Sequence, residues 1–237
     1  MNETIKQLFD RKSVRVFTNR EISAEDKALI IASAAQAPTA GNQQLYTILD
    51  ITDQSIKDRL AVTCDNQPFI AKARMVLIFL ADCRKWYRAY QEAGCQPRKP
   101  GAGDFMIAFS DANIAAQNAV VAAHSLGIGS CYIGDIMEHY EEHVRLLSLP
   151  EYVFPAAMLV FGYPDKSQIR REKPKRVDDK FIVCENGYKD QDPRDMFSGK
   201  GEDFDSWMQA FCKRKYESDF ACEMSRSAKV FLDTLGK

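Results

Sequence analysis

Three short apolar runs, rich in branched and aromatic residues, lie at positions 46–52, 75–81 and 156–161. Polar or turn residues bound each run, and runs of this length and composition predict β-strands. The spacing between them leaves room for helical segments. We therefore predict three strands of a sheet, two of them central.

A helix is predicted after the charged N-terminal stretch of the chain. Ser23 and Asp26 resemble a capping box, and apolar residues recur at helical spacing until Pro38 stops the pattern. A longer helix is predicted between Asp104 and Gly127. Its seam repeats at spacings of four and three: Ala108, Ala112, Ala115, Ala119, Ala122 and Leu126. A second seam comprises Phe109, Ala116, Val120 and Ala123, so little polar surface remains and we expect burial in the core or in a subunit interface.

Length and local composition indicate the domain organisation. A chain of 237 residues with 46% apolar residues is long enough for one sizeable core, and we predict a single domain over 1–237. Residues 83–103 are aromatic and basic, then rich in Pro and Gly, which is typical of an excursion that could serve as a lid. The segment 165–179 is strongly charged, so we expect an extended arm and helices over 165–237.

Charge and cysteine usage exclude several classes of protein. The 32 basic and 33 acidic residues give a net charge of -1, which provides no overall field for nucleic acid or an anionic membrane. Without a signal-peptide or membrane-spanning pattern, a cytoplasmic protein is expected. Seven cysteines without a CxxC pair predict reduced, mostly buried thiols. His139 and His143 are four apart, but Tyr140 stands where a zinc protease has its glutamate, so no metal is expected.

A first candidate site is RKSVRVF, in which Arg11, Ser13 and Arg15 are spaced two apart. In an extended segment the three side chains share one face, and Val14 and Val16 share the other. Two guanidinium groups and a hydroxyl suit a phosphate monoester. The alternative is a solvated cationic edge.

A second candidate is the loop 38–44, made of small and amide residues. Small residues let the backbone approach a flat ring, and Asn42 and Gln44 could match the mixed edge of a pyrimidine-like heterocycle. An ordinary loop after a helix is the alternative. The glycines of 127–134 follow a helix, and Tyr132 replaces the last one, so a dinucleotide-binding fingerprint is excluded. His124 lies among alanines and is predicted to be a satisfied core residue.

Taken together, four features resemble the nitroreductase family: Arg11-x-Ser13-x-Arg15, the loop Pro38 to Gln44, the Ala-rich helix with its Gly-Ile-Gly exit, and a basic arm at 173–176. Tyr132-Ile133-Gly134 and the long C-terminal extension resemble the branch of NADPH-dependent flavin reductases and oxygen-insensitive nitroreductases. The resemblance implies an α+β fold with a mixed central sheet flanked by helices. It also implies an intertwined homodimer in which both subunits build each FMN site.

The resemblance further implies a role for individual residues. Arg11, Ser13 and the arm would hold the FMN phosphate, and Arg15 and Gln67 the pyrimidine edge. The loop would reach the partner's flavin, and the backbone at Gly134 and Asp135 would lie near N5. All the cofactor contacts implied are Arg11, Lys12, Ser13, Arg15, Pro38, Thr39, Ala40, Asn42, Gln67, Tyr132, Ile133, Gly134, Asp135, Lys173, Lys175 and Arg176. The arm departs from the usual Lys-x-Arg, and Thr39 replaces the usual serine.

The activity implied is an FMN-dependent NAD(P)H oxidoreductase that reduces nitroaromatics, quinones or flavins by ping-pong hydride transfer, with no catalytic side chain. Two alternatives remain: a protein that stores or senses FMN without turnover, and a related flavin enzyme with one dedicated substrate and an aromatic lid. Neither the physiological acceptor nor the choice between NADPH and NADH follows from the sequence.

Overall fold

The computed structural model describes residues 1–200 and 203–236. Gly201, Glu202 and Lys237, which fall within the arm and helices expected over 165–237, lie outside the described residues. The chain forms two compact units, one of Met1–Arg171 with Glu223–Lys237 and the other of Glu172–Cys222.

The first unit contains a sheet with the strand order β1-β2-β4-β3 in the described residues. The strands are β1 Tyr46–Asp50, β2 Met75–Asp82, β3 Gly129–Ile133 and β4 Val153–Gly162. The three predicted strands are confirmed, and β2 and β4 are central. Their ladders are antiparallel, and among the described residues one parallel bridge joins Ser13 and Ser130. The α+β class is confirmed.

Helices cover both faces of this sheet. Those of the first unit are α1 Glu3–Asp10, α2 Ala24–Ala35, α3 Gln54–Thr63, α4 Arg84–Glu92, α5 Ala102–Ser125, α6 Tyr140–Leu146 and α7 Lys166–Arg170. The Ser23 side chain accepts a hydrogen bond from the Asp26 backbone N–H at 3.0 Å, which satisfies a free donor at the start of α2. Helices α2 and α5 therefore begin and end close to the predicted positions.

The strand β2 is buried along its whole length because both of its faces are covered. Leu77 and Phe79 pack into the core that includes α2 and α5. Ile78 and Leu80 point to the opposite face and pack against Leu60 of α3. A strand covered on both faces carries a continuous apolar run rather than alternation.

Most of the alanine seam of α5 is buried within this chain, and Ala122 and Leu126 at its end are half-buried. Ala108, Ala112, Ala115 and Ala119 are fully buried, and α5 packs against α2 and β2. Small side chains allow this close approach of helix to helix and helix to sheet. The seam therefore belongs to the core, and it does not itself indicate a subunit interface.

The second unit is described here by itself. It contains a 3-10 helix Asp179–Phe181, α8 Pro193–Met196, α9 Phe204–Lys215 and the start of α10 Asp219–Leu232, which continues into the first unit. Asp192 and Asp203 cap α8 and α9 by accepting backbone hydrogen bonds. Trp207 stacks on Phe211 with ring centroids 5.0 Å apart.

Two expectations about segments need comment. Residues 83–103 are not wholly irregular, because α4 occupies 84–92; no side chain of α4 is fully buried, as expected of a segment outside the core. The prediction of mostly buried thiols is wrong. Cys64, Cys83 and Cys131 are buried, whereas Cys184 is half-buried, and Cys95, Cys212 and Cys222 are exposed. The three exposed thiols belong to neither of the two buried apolar clusters of the described residues. Within the described residues, no helix is long and apolar enough to cross a membrane.

Candidate functional site

The segment of residues 11–15 lies along the edge strand β3. The Val14 backbone N–H donates to the Ser130 carbonyl at 2.9 Å, and Ser13 and Ser130 form a parallel bridge. Gly129 allows this close contact, since a Cβ there would lie 2.6 Å from Val14 Cγ2. The glycine therefore brings the basic segment into contact with the sheet.

Three side chains of this segment lie near enough to Cys131 to affect the pKa of its thiol. Burial raises the pKa of Cys131, and the nearby Arg15, Ser13 and Arg11 partly offset that rise. The shared face of these three side chains stays a prediction. Of the two residues predicted on the other face, Val14 is buried and Val16 is 46% exposed.

Arg11 has an unusual environment for a cation. Its guanidinium carbon lies 6.0 Å from the centroid of the Tyr132 ring. Its Nε and Nη2 are closed to solvent, and neither has a hydrogen-bond partner among the described residues. A guanidinium cannot lose its proton in a protein, so it cannot relieve this cost by becoming neutral. The geometry therefore suits an anion that accepts both N–H groups.

Tyr132 forms the floor of this region. Burial raises the pKa of its hydroxyl to about 12, although the charge of Arg11 acts in the other direction. The phenol therefore stays neutral at physiological pH. Its hydroxyl donates to Gln117 Oε1 of α5 at 3.4 Å, which orients the ring beneath the guanidinium.

Lys12 lines the same cavity as Arg11, but its ammonium is bonded to backbone carbonyls. Its Nζ donates to the Ile169 carbonyl at 2.9 Å and to the Arg171 carbonyl. The ammonium thus occupies the free carbonyls at the C-terminal end of α7, where a cation is favourable. The contribution of Lys12 to the cofactor site stays a prediction.

His124 does not have the core position predicted for it. It is half-buried and lines a cavity of about 260 Å³ that also borders Arg11 and Lys12. Only one side of α5 faces the core near its C-terminal end, and His124 lies at the margin of that face. The prediction of a core histidine is therefore wrong.

The loop 38–44 is held by a buried carboxylate. Asp111 of α5 is 3% exposed and accepts hydrogen bonds from the Thr39 hydroxyl, the Ala40 N–H at 3.2 Å and the Leu45 N–H at 3.3 Å. The Thr39 hydroxyl also accepts from the Gln44 N–H at 2.8 Å. These bonds close the loop on itself and anchor it to α5.

The outer surface of the same loop remains accessible. Pro38, Asn42 and Gln44 are exposed, whereas Thr39 and Ala40 are half-buried. Gly41 and Asn42 both have φ of +56°, in the left-handed region that glycine and asparagine adopt most readily. This conformation presents the Asn42 side chain to solvent above a rigid base.

A tight turn follows β3 at the predicted N5 contacts. Ile133 is buried, and Gly134–Met137 form a 3-10 helix. Gln67 Nε2 donates to Asp135 Oδ2 at 3.1 Å and to the Cys64 carbonyl at 2.8 Å. The structure therefore brings Gln67 to Asp135, two residues that lie far apart in the sequence.

Gly134 is open on its outer side. A Cβ built there would approach only Met137 Cε, at 4.0 Å. A flat molecule could therefore approach this backbone without displacing a neighbouring side chain. The absence of a side chain at Gly134 contributes to this access.

A second buried charge lies behind the same turn. Glu138 is 4% exposed, and its Oε1 has no hydrogen-bond partner among the described residues. Burial raises the pKa of Glu138 to about 7, and the nearby carboxylates of Asp135, Asp65 and Glu223 act in the same direction. This carboxyl therefore carries a proton through much of the range below neutral pH.

The basic arm lies in the second unit. Lys173, Lys175 and Arg176 precede its 3-10 helix, and the Lys175 carbonyl accepts a hydrogen bond from Lys200 Nζ at 3.1 Å. Lys175, Arg176 and Lys200 line a cavity of about 550 Å³ within that unit. The contribution of the arm to phosphate binding stays a prediction.

Two residues of this region escaped the sequence analysis. Asp111 interrupts the apolar seams of α5, and a carboxylate in such a helix should have suggested a buried acceptor with several donors. Glu138 carries no comparable signal, because its burial depends on α3 and α10 packing around the turn. Among the described residues, no group of three or more His, Cys, Asp or Glu is placed to hold a metal ion.

Comparisons with known proteins match the sequence and the fold of this chain. A family model described as the nitroreductase family matches residues 8–163. The FMN reductase (NADPH) of Bacillus subtilis is 32% identical over 190 residues, 79% of this chain and 75% of that protein. The oxygen-insensitive NADPH nitroreductase of Salmonella typhimurium is 30% identical over 196 residues, 82% of this chain and 78% of that protein. The solved structure of NfrA2 from B. megaterium is 31% identical, with a TM-score of 0.78 over 99% of this chain and 92% of that one.

Proposed function

The chain belongs to the nitroreductase family, and from that premise we propose that it is an FMN-dependent NAD(P)H oxidoreductase that reduces nitroaromatics, quinones or flavins. The donor and the acceptor would use one pocket in turn, which is a ping-pong course. We further propose that it works as a homodimer in the cytoplasm. The names of the B. subtilis and S. typhimurium relatives support the activity.

The observation that carries this proposal is the environment of Arg11. Two of its guanidinium nitrogens are shielded from solvent and unpartnered among the described residues. A phosphate monoester accepts two parallel N–H bonds from one guanidinium and is the charged tail of FMN. Ser13 and Arg15 lie near the Cys131 thiol, as Arg11 does, and could provide further contacts to the phosphate. The residues present therefore fit the cofactor that the family implies.

The remaining contacts are assigned by the same fit. We assign the phosphate also to Lys173, Lys175 and Arg176 of the second unit. The assignments near the ring are Arg15 and Gln67 at the pyrimidine edge, Tyr132, Ile133, Gly134 and Asp135 beside the ring, and Pro38, Thr39, Ala40 and Asn42 from the partner subunit. The open backbone at Gly134 supports the approach of a flat ring.

Bound FMN supplies the hydride-transfer chemistry, and the protein supplies position and charge. The positive charge of Arg15 would stabilise negative charge at the pyrimidine edge. The hydrogen bond from Gln67 to Asp135 fixes both side chains before any ligand binds, which reduces the ordering needed on binding. No general acid or base is assigned.

Rapid mixing of the purified, FMN-loaded protein with NADPH, and separately with NADH, tests the activity. We expect the flavin absorbance to bleach under anaerobic conditions and to return when a quinone is added. Initial rates are then measured over a range of NADPH concentrations at several fixed quinone concentrations. Plots of reciprocal rate against reciprocal NADPH concentration should give parallel lines. Intersecting lines would contradict the ping-pong course. Stable flavin absorbance after addition of either nucleotide would favour a storage protein instead.

A further inference from the structure

A cavity of about 300 Å³ lies between α4 and the start of α5 in the first unit. It is separate from the group around Arg11. Its apolar walls include the rings of α4 and residues before β1 and α5: Trp86, Tyr87, Tyr90, Leu45, Pro97 and Pro100. Pockets of this size with mostly apolar walls and few polar groups are typical of small-molecule sites.

One wall of the cavity is fixed to the loop 38–44. Trp86 Nε1 donates to the Gln43 carbonyl at 2.7 Å, and Lys85 Nζ donates to the Gln44 carbonyl at 3.2 Å. The start of α4 is itself held by Asp82, which accepts from the Arg84 N–H at 3.0 Å and the Lys85 N–H at 3.1 Å. Hydrogen bonds therefore attach the first turn of α4 to the loop 38–44.

The opposite wall is also held in place. Arg98 and Asp104 form two parallel hydrogen bonds, and Asp104 also accepts from the Gly101 N–H at 2.8 Å. The Gly236 N–H donates to the Pro100 carbonyl at 2.9 Å. These bonds hold the proline-rich segment that closes the cavity.

The aromatic side chains are arranged to receive a flat molecule. Trp86 and Tyr90 have ring centroids 5.8 Å apart, and Tyr87 packs edge-on against Tyr152 at 5.7 Å. Trp86 is 36% exposed and Tyr90 is 39% exposed, so both rings still offer surface. Aromatic faces bind other flat rings in offset or edge-to-face geometry.

The polar groups of the cavity are few. Cys83 contributes a buried thiol whose pKa is raised to about 12, mainly by burial, so it is neutral and acts as an apolar surface. Gln43, Arg98 and Asp104 line the cavity as well, and Arg98 donates two hydrogen bonds to Asp104. An uncharged ring carrying carbonyl or nitro oxygens matches this combination of apolar walls and donors.

We propose that this cavity binds the electron acceptor, a planar quinoid or nitroaromatic molecule of one or two rings, and that Trp86 selects it. The inference rests on the proposed oxidoreductase function. The cavity borders Gln43, which belongs to the loop assigned to the partner's flavin, so a molecule in the cavity would lie beside that assigned position. This assignment makes α4 a determinant of acceptor specificity.

The two tryptophans allow a direct binding test in the FMN-loaded protein. With Trp207→Phe, Trp86 is the sole tryptophan, and we titrate its fluorescence with 2-methyl-1,4-naphthoquinone without any nicotinamide. We expect saturable quenching. Trp86→Phe is the matched control, in which only Trp207 of α9 reports and quenching should not saturate. Equal, non-saturating quenching in both variants would overturn the proposal, and a partner subunit filling the cavity would give that result.

A kinetic arm separates this proposal from the proposed function. Trp86→Ala should raise the quinone KM about tenfold, which corresponds to the loss of one ring contact of about 1.4 kcal/mol, and leave FMN affinity unchanged. Trp86→Phe retains a ring and should change KM less. An unchanged KM in Trp86→Ala would contradict the specificity role. Failure of the wild type to bleach would instead contradict the oxidoreductase function.

Discussion

Two regions of the first unit satisfy their polar groups in opposite ways. In the loop 38–44, Asp111 and Thr39 use their oxygens to bind backbone and side-chain donors of the same chain. In the segment 11–15, two guanidinium nitrogens of Arg11 are buried without a partner among the described residues. The loop is complete as it stands, whereas the segment lacks an acceptor.

This difference indicates which region gains favourable free energy when a ligand binds. A loop whose groups are already bonded gains little from a cofactor, so its role is to present a rigid surface. A buried cation without an acceptor gains a charge-assisted hydrogen bond when an anion binds, and the cost of its burial is then offset. We therefore expect loop variants to affect mainly stability and Arg11 variants to affect mainly binding.

The largest expected effect is on the loop. Asp111→Ala removes a buried acceptor and leaves three donors unpaired, so the free energy of unfolding should fall by about 3 kcal/mol. Urea denaturation measures this. Asp111→Asn retains one acceptor and should lose less. Asp233→Ala, which breaks a surface ion pair with Lys229, is the control and should change stability by less than about 0.5 kcal/mol. A stable Asp111→Ala protein would remove the distinction between the two regions.

Arg11→Ala should act mainly on the cofactor. Losing charged hydrogen bonds of about 2–3 kcal/mol should weaken FMN binding by about 30- to 150-fold, whereas the stability of the FMN-free protein should hardly fall. Arg59→Ala, which removes a surface pair with Glu142, is the control. Fluorescence titration with FMN measures both variants. Equal FMN affinity in both would contradict the assignment of Arg11.

Glu138 extends the comparison to a second buried group without a partner among the described residues. Unlike the Arg11 guanidinium, its carboxyl becomes neutral when it binds a proton. Its pKa is raised to about 7, so its contribution to stability is fully present below about pH 4.5 and is lost as pH rises through about 7. Between these values the wild type should lose on the order of 2 kcal/mol more than Glu138→Gln. Chemical denaturation at several pH values measures the difference. Parallel pH profiles would show that Glu138 titrates normally.

The smallest effect is expected at Thr39. Its hydroxyl both donates to Asp111 and accepts from the Gln44 N–H, and a serine can make the same bonds. Thr39→Ser should therefore stay within about 0.5 kcal/mol of the wild type in unfolding free energy, whereas Thr39→Val should lose about 1 kcal/mol. If the valine variant matched the serine variant, the hydroxyl would have no structural role.

The sequence predicted most of the elements because their signals are local. The apolar run of β2 and the alanine seam of α5 each lie within one continuous segment of the chain. Their pattern of buried positions can therefore be recognised from that segment alone. Strand β3 was not predicted, because Gly127 and Gly129 break its pattern. Gly129 is there to admit Val14, a contact that no local pattern reveals.

The candidate site was predicted only in part for the same reason. The spacing of Arg11, Ser13 and Arg15 is local, and the three do lie near one thiol. Lys12 lies in the same run but bonds to carbonyls at the end of α7, and this depends on tertiary packing. Asp111 and Glu138 acquire their roles from elements distant in sequence, so spacing alone could not identify their partners.

The central claim is that the Arg11 guanidinium binds the phosphate of a flavin nucleotide. It is tested most directly by measuring the affinities of FMN and of riboflavin, which lacks the phosphate, in the wild type and in Arg11→Ala. We predict that the wild type binds FMN about 100-fold more tightly than riboflavin and that most of this preference disappears in the variant. An FMN preference of the same size in both proteins would contradict the claim.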